Sequence, residues 1–364
     1  MLRKLLKGLG VLAGLVLLYV VGILLYGTLT DWQPTGTNPV GVQQSAALPE
    51  VPDSSTVSFL TWNVGYGGIG DEDFFFYNRP GGFWWAEPGT VRMSEERVEA
   101  NVAGQDLTVR NNLVDFVLLQ EVDTAARRSH YTNQLAVARA AKPDYAVSFA
   151  ANFKSKRVPI PLLQPWDHYG AVVGGLVSLA RYQPTVAERI QLPGEYGWPT
   201  KLFQLDRCAL RQVVPVAGGR ELAVYNVHLS AYDTGGTIRR QQMEEIRRLA
   251  LADYEAGRYV VVGGDWNQLP PGFNYFTLNP TVERIRKPIT VAFDFMPPGW
   301  KYAYDPAVAS VRNSADPYSS HTSRVQVIDF FLLSPNLRIT AVKGINQSFK
   351  FSDHQPVYLE VALN

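Results

Sequence analysis

The segment RYVVVGGDWNQ, Arg258–Gln268, sets a valine-rich run directly before Gly263-Gly264 and then Asp265, Trp266 and Asn267. A short run that is apolar at every position reads as a strand covered on both faces, and the glycines read as the turn that ends it. Working outward, the same design recurs. VSFLTWN ends at Asn63, VDFVLLQE at Glu121 and ELAVYNVH at His228, while VQVIDFFLL carries Asp329 and the tripeptide SDH supplies Asp353 and His354. Strand ends at one edge of a sheet are rigid supports, and reactive groups need rigid support. Strands are expected over Val57–Trp62, Phe116–Leu119, Tyr145–Ala150, Ala171–Leu179, Arg211–Val216, Leu222–Val227, Tyr259–Val262, Val327–Leu333, Arg338–Val342 and Pro356–Val361. Helices are expected from Ser129 to Ala141 and from Thr237 to Ala256, the second with Met243, Ile246, Leu249, Ala250 and Tyr254 on one face. These patterns alone give a mixed α and β protein.

The polar groups at these ends suit phosphoryl transfer aided by a hard cation. Mg²⁺ takes one or two carboxylates together with waters and phosphate oxygens, and Mn²⁺ accepts similar ligands. Glu121 is the leading metal ligand, with Asn63 as an oxygen donor beside it. His354 reads as the base that activates water, its tautomer fixed by Asp329. His228 and Asn267 read as donors to phosphoryl oxygens, and Asp265 as the group that orients water or protonates the leaving group. Singly, each has an ordinary structural explanation: a turn for Asn63, a helix cap for Glu121, a core site for His228. Five motifs together make the joint reading catalytic.

TWN (Thr61–Asn63), QEVD (Gln120–Asp123), NVHLS (Asn226–Ser230), GDWNQ (Gly264–Gln268) and the VID/SDH pair together resemble the endonuclease/exonuclease/phosphatase superfamily, from about Val57 to Leu363. The resemblance implies an α/β fold: a four-layer α/β/β/α sandwich of two packed mixed sheets flanked by helices. It implies metal binding by Asn63 and Glu121, with Asp353 as a further ligand, and contact of His228 with the scissile phosphate. Asp265 and Asn267 match the family's G-D-x-N, and Asp329 with His354 its Asp–His pair. Two departures bear on substrate rather than chemistry. Ala180 stands where the family often has Ser, and a long stretch, Gly67–Arg97, separates the first two motifs.

Residues 9–29 carry no charge, and 21 residues at about 1.5 Å each can cross a hydrocarbon core of roughly 30 Å. A cleaved signal would have a shorter apolar run and a nearby small-x-small site. The segment therefore reads as an uncleaved transmembrane helix preceded by a basic terminus, 1–8. With Arg3, Lys4 and Lys7 before it, the terminus is expected in the cytoplasm and the catalytic unit, 56–364, outside. Residues 30–55, rich in Pro, Gly, Ser and Thr, read as a linker that cannot fold alone. Cys208 is the sole cysteine, which excludes an intramolecular disulfide and a Cys-based structural zinc site.

The chain has 34 basic and 33 acidic residues; without Arg3, Lys4 and Lys7, 31 basic remain against 33 acidic, a net of −2. Such a balance lacks the basic surface that non-specific nucleic-acid binding uses to displace counterions. The arginine pairs at 239–240 and 247–248 read as a solvated helix face. Further substrate contacts are expected from Arg127, Arg128, Arg207 and Tyr232. The stretch DFFFYNRPGGFWW, Asp73–Trp85, reads as an insertion whose aromatics fill a small core of their own, or as a patch touching a membrane interface. The first is preferred, because exposed aromatics invite aggregation. The expected partners are a phosphate ester, either a phospholipid head group or a nucleic acid, and the membrane itself; no obligate protein partner is evident. An extracytoplasmic nuclease and a non-catalytic binding module on the same fold are the alternatives.

Overall fold

All ten expected strands form and divide between two sheets, with ends displaced by at most four residues except that the strand expected to stop at Ala150 runs on to Val158. The computed structural model describes residues 1–364 apart from 45, 54, 234 and 280–287. The first sheet runs, edge to edge, Leu337–Gly344, Val357–Leu363, Thr56–Asn63, Phe116–Asp123, Gly170–Ala180, Ala146–Val158 and Val42–Gln43. The second runs Thr37–Pro39, Val186–Gln191, Cys208–Val216, Arg220–His228, Tyr259–Asp265, Asp329–Leu333 and Lys301–Ala303. Each is mixed: Thr56–Asn63 lies parallel to Phe116–Asp123, and Arg220–His228 parallel to Tyr259–Asp265, with antiparallel neighbours on either side.

The sheets face one another across a core that joins Phe59, Phe116 and Leu118 to Val224, Val261 and Phe331. The rings of Phe59 and Phe116 stack with centroids 5.0 Å apart. The helix Thr237–Glu255 covers the outer face of the second sheet through Met243, Ile246 and Ala250. Helices Glu95–Asn111 and Gln134–Ala141 cover the first through Val109 and Ala138. The four-layer sandwich expected from the resemblance is the observed fold. Strands apolar on both faces are what two covered sheets require.

Three local differences have physical causes. The helix Glu95–Asn111 shows no apolar period in its sequence because its inward face is partly polar. Gln105 Nε2 donates to the carbonyls of Val64 and Phe351, and Asn101 Nδ2 to that of Gly67, so amides fill positions that usually hold leucine. The expected helix Ser129–Ala141 begins only at Gln134, because His130 and Tyr131 adopt left-handed backbone. The segment 30–55 does not hang free. Thr37–Pro39 pairs with Val186–Gln191, Val42–Gln43 pairs with Ala146–Val158, and Val51 is fully buried against Val216. A chain too polar to fold alone gains structure by extending sheets that already exist.

At the amino terminus, Leu2–Thr30 is one helix of 29 residues, longer than expected, with its apolar side chains exposed. It is long and apolar enough to cross a membrane.

Gly264 shows how closely the site is built into the sheet. Its φ is +147°, and a Cβ there would lie 2.0 Å from the Val227 carbonyl oxygen. Gly264→Ala should therefore cost about 2 kcal/mol or more, read as a lowered thermal unfolding midpoint of the full chain.

Candidate active site

Strand register assembles the first half of the site. In the second sheet His228 lies opposite Asp265, and Asp265 opposite Asp329, so one row crosses three adjacent strands at their ends. Asp329 is fully buried, and its Oδ2 lies 2.8 Å from His354 Nδ1. His354 Nε2 points on towards Asp265 Oδ2 at 3.8 Å, and His228 Nε2 lies 3.5 Å from the same oxygen. Asp265 Oδ1 accepts the Asn267 backbone N–H at 2.8 Å. That turn places Asn267 in left-handed backbone, with Nδ2 donating to the Leu229 carbonyl just past His228.

The first sheet supplies the other half. Pairing between Phe116–Asp123 and Gly170–Ala180 is interrupted from Leu119 to Val122, and within this bulge Glu121 has φ +57°. A bulge re-aims side chains: Gln120 enters the space between the sheets, where its amide donates to Asn226 Oδ1 at 2.8 Å, while Glu121 lines the cleft. Asn63 Nδ2 donates to Asp265 Oδ2 at 3.0 Å, which ties the two halves together. Its Oδ1 accepts the Gly65 N–H, leaving one lone pair. The SDH loop is held to the strand end below it. Ser352 Oγ donates to the Asn63 carbonyl at 2.8 Å, and the Trp62 indole N–H donates to the His354 carbonyl at 3.0 Å. The tryptophan of TWN thus positions the histidine of SDH.

These groups meet in a cleft of about 520 Å³. Glu121, His228, Asp265, Asn267, Asp353 and His354 line it; Asn63 and Asp329 lie just beneath, bonded to lining residues. Burial, and then the Asp353 charge, push the Glu121 carboxyl up to about 7. Burial, then Asp329, raise Asp265 to about 6. Burial and the Arg207 charge hold His228 well below its usual range, so its ring is neutral. For His354 burial opposes the charged form, but Asp329, Asp265 and Asp353 outweigh it and raise the ring to about 10. A base that activates water has to be neutral, whereas here three carboxylates favour the charged ring of His354. Glu121, Asp265 and Asp353 present carboxylate oxygens to the cleft, and such oxygen donors are what a hard divalent cation takes. Asp265, Asp329 and His354 also form a buried group whose ligand atoms lie within 4.8 Å of one another.

The outlying residues divide. Arg207 lines the cleft, 8 % exposed, with Nη1 on the His228 carbonyl at 3.4 Å. Tyr232 lines its rim, its hydroxyl donating to Asn78 Oδ1. Arg128 lines the cleft too, but forks both oxygens of buried Asp123 at 2.8 and 2.9 Å and lies over the Tyr66 ring, so its charge is already matched. Arg127 is not brought into the cleft and holds His168 instead. Arg239 corrects the solvated-face reading: it is 6 % exposed, lines the cleft and donates to the Ser230 carbonyl, whereas Arg240, Arg247 and Arg248 are exposed. Reading it required the helix start, since Asp233 Oδ2 accepts its backbone N–H and turns this first-turn residue inward. Phe75, Phe76, Tyr77 and Phe203 form an aromatic wall. Sequence reading gave the aromatics of 73–85 a core of their own, and Phe76 has one, with Phe153, Val158 and Ile160. Phe83, Trp84 and Trp85 instead stand exposed.

Solved structures share this architecture. A family protein from Bacteroides vulgatus aligns over 85% of this chain and 100% of its own, with a TM-score of 0.53 and 17% identity. Truncated TDP2 from Caenorhabditis elegans covers 86% and 99%, with a TM-score of 0.51 and 14% identity. A functionally unknown conserved protein from Enterococcus faecalis covers 85% and 100%, with a TM-score of 0.51 and 16% identity. At such identities these likenesses speak for the fold. A comparison with curated proteins finds no match. The family model described as Endonuclease/Exonuclease/phosphatase family matches residues 60–354, from the strand that delivers Asn63 to His354 itself, and the chain belongs to that family.

Proposed function

We propose that the protein is a membrane-anchored, Mg²⁺-dependent phosphoesterase that hydrolyses a phosphodiester or phosphomonoester by in-line attack of water. The observation that carries this reading is the convergence of Glu121, Asp353 and Asn63 from one sheet edge upon the His228–Asp265–Asp329 row of the other. Glu121 and Asp353, with the Asn63 amide oxygen, would hold Mg²⁺, and Mn²⁺ fits the same oxygens. When bound, the cation neutralises phosphate charge and polarises the ester. Asp265, raised towards neutrality, takes the proton of the attacking water, whose oxygen forms the new bond to phosphorus. The ester P–O bond breaks on the opposite side, and the leaving oxygen is protonated from solvent at the open mouth. His354 donates as an imidazolium to a phosphoryl oxygen, and Asp329 orients it and balances its charge. His228 and the second N–H of Asn267 add donors, and Arg207 adds positive charge beside them.

Asp265 rather than His354 is the base, because the surrounding carboxylates favour a charged His354 ring. Arg3, Lys4 and Lys7 ahead of the apolar helix favour an orientation with the cleft outside the cytoplasm. The nuclease alternative shares every catalytic group but has little support from a net charge of −2 outside residues 1–8. A binding module would have no use for the complete donor set.

With the full chain in detergent and a chromogenic phosphodiester, EDTA should abolish turnover and Mg²⁺ should restore it. Glu121→Gln should raise the metal concentration for half-maximal rate at least about tenfold, the loss typical even of groups that merely support a ligand. Full turnover in chelator would overturn the proposal.

The pH profile follows from the charged forms required. Asp265 works as a carboxylate, held up to about 6, and Glu121 must be ionised to take the cation and is held up to about 7. His354 works as an imidazolium, present below about pH 10, so the rate should rise between about pH 6 and 7 and plateau up to about pH 10. Asp329→Asn removes the charge that raises His354 and should move the alkaline limb towards neutrality. An alkaline limb that stays in place would show that His354 is not the protonated donor.

A further inference from the structure

The apolar helix is fastened to the catalytic domain at its far end. Thr28 Oγ1 accepts the Trp198 indole N–H at 3.2 Å. Gly27 is buried, and a Cβ there would meet Leu202 and Phe203 at 3.3 and 3.4 Å. Phe203 lies in the short helix Thr200–Phe203 and belongs to the aromatic wall of the cleft. The helix also touches the strand Ala146–Val158, where Lys154 and Lys156 are exposed and Lys154 Nζ lies 5.8 Å from the Trp32 ring centroid.

From this junction an apolar cluster leads on to the two loops. Phe203 packs in the same cluster as Ile160 and Phe76. Just beyond Ile160, the Leu162 and Leu163 N–H groups donate to the carbonyls of Phe83 and Trp84, fixing the two loops side by side. Their tips are exposed: Trp84 by 53 %, Trp85 by 52 %, Leu163 by 50 % and Trp166 by 67 %. Trp85 and Trp166 meet edge to face at 6.0 Å. The side chains are therefore preordered, yet unburied. Scattered apolar residues need no explanation, but exposed tryptophans held in contact across two paired loops do.

We propose that Phe83, Trp84, Trp85, Leu163, Trp166 and Trp198 form a surface seated in the interfacial zone of the bilayer that the Leu2–Thr30 helix crosses, so that the cleft takes a phosphate ester carried by a membrane lipid. The proposal rests on the anchored-phosphoesterase reading. Trp favours the head-group level of a bilayer because its ring is apolar and its N–H polar. The spanning helix names the occupant, since its last turn meets Trp198 and, through Leu202 and Phe203, the packed cluster that holds both tryptophan-bearing loops. Lys154 and Lys156, beside the junction, match an anionic lipid surface. The aromatic wall inside the cleft is the other side of the same loops, so a lipid drawn from the bilayer meets apolar surface up to the carboxylates.

The test reconstitutes the full chain into phosphatidylcholine–phosphatidylglycerol vesicles with and without brominated acyl chains. Brominated lipid should quench the wild type, and Trp84→Phe, Trp85→Phe and Trp166→Phe should each remove part of that quenching; these conservative variants retain the ring packing. Quenching unchanged in all three, with aqueous iodide reaching these tryptophans instead, would overturn the docking surface, as would their burial against a second protein. The triple Trp84→Ala/Trp85→Ala/Trp166→Ala variant should hydrolyse vesicle phosphatidylglycerol about tenfold or more slower while turning over a soluble phosphodiester within about twofold, as expected when only apolar contact is withdrawn. Soluble turnover without any hydrolysis of vesicle lipid would overturn the lipid substrate. Absence of soluble turnover in every chain would sink the phosphoesterase reading and leave the quenching to decide the surface independently.

Discussion

The contact between Gln120 and Asn226 governs the geometry of the whole site. The two amides meet in the space between the sheets, and Asn226 Nδ2 also donates to the carbonyls of Leu119 and Val177. Elsewhere the facing layers are joined largely by apolar side chains, which tolerate sliding because dispersion and the hydrophobic effect have little direction. Hydrogen-bonded amides do not, since a shift would leave buried polar groups unmatched at about 1–3 kcal/mol each. Gln120 precedes Glu121, and Asn226 lies two residues before His228. The pair that sets the register of the sheets therefore also sets the separation of the two halves of the cleft.

A second constraint is electrostatic. Burial of Asp265 and Asp329, with Glu121 and half-buried Asp353 close by, opposes folding, and His354 relieves only part of it. Sites that bind charged ligands commonly carry such unmatched groups, because the ligand completes them. Asp123 shows the contrasting solution: also fully buried, it is enclosed by Arg128 and the Ser129 hydroxyl, and its charge is balanced within the protein. Two carboxylates of one motif, Glu121 and Asp123, thus differ in role because one has a guanidinium and the other faces a cleft.

Much of this was legible in the residues. Unbroken apolar runs marked the strands, and the polar letters after them marked the site, because a buried strand end leaves few reasons for Asn, Glu, His or Asp to follow. The helix Glu95–Asn111 was not legible by periodicity, as Asn101, Gln105 and Thr108 on its inward face serve loop carbonyls and the helix backbone. Ser94 followed by Glu95 and Glu96 was the local signal, and Ser94 does accept the Arg97 N–H. Arg128 and Arg127 were indistinguishable as letters. Which of them faces the cleft depends on Asp123 and on the left-handed turn at His130, both tertiary in effect. The exposed half of the aromatic insertion was unreadable for a related reason, since exposure is a property of the assembled surface.

The strap between the helix and the domain carries a consequence for maturation. Thr37–Pro39 and Val42–Gln43 close one edge of each sheet, and Val51 fills a place in the core. A protease cutting near Thr30 would release a domain with both edges still covered. Cutting beyond Val51 would bare two rows of unpaired backbone donors and acceptors and open a hole in the core, giving a fragment prone to self-association. Separation of an intact domain from the apolar helix is thus confined to the few peptide bonds between Thr30 and Thr37, and the strap makes that separation and survival of the fold inseparable questions of where the chain is cut.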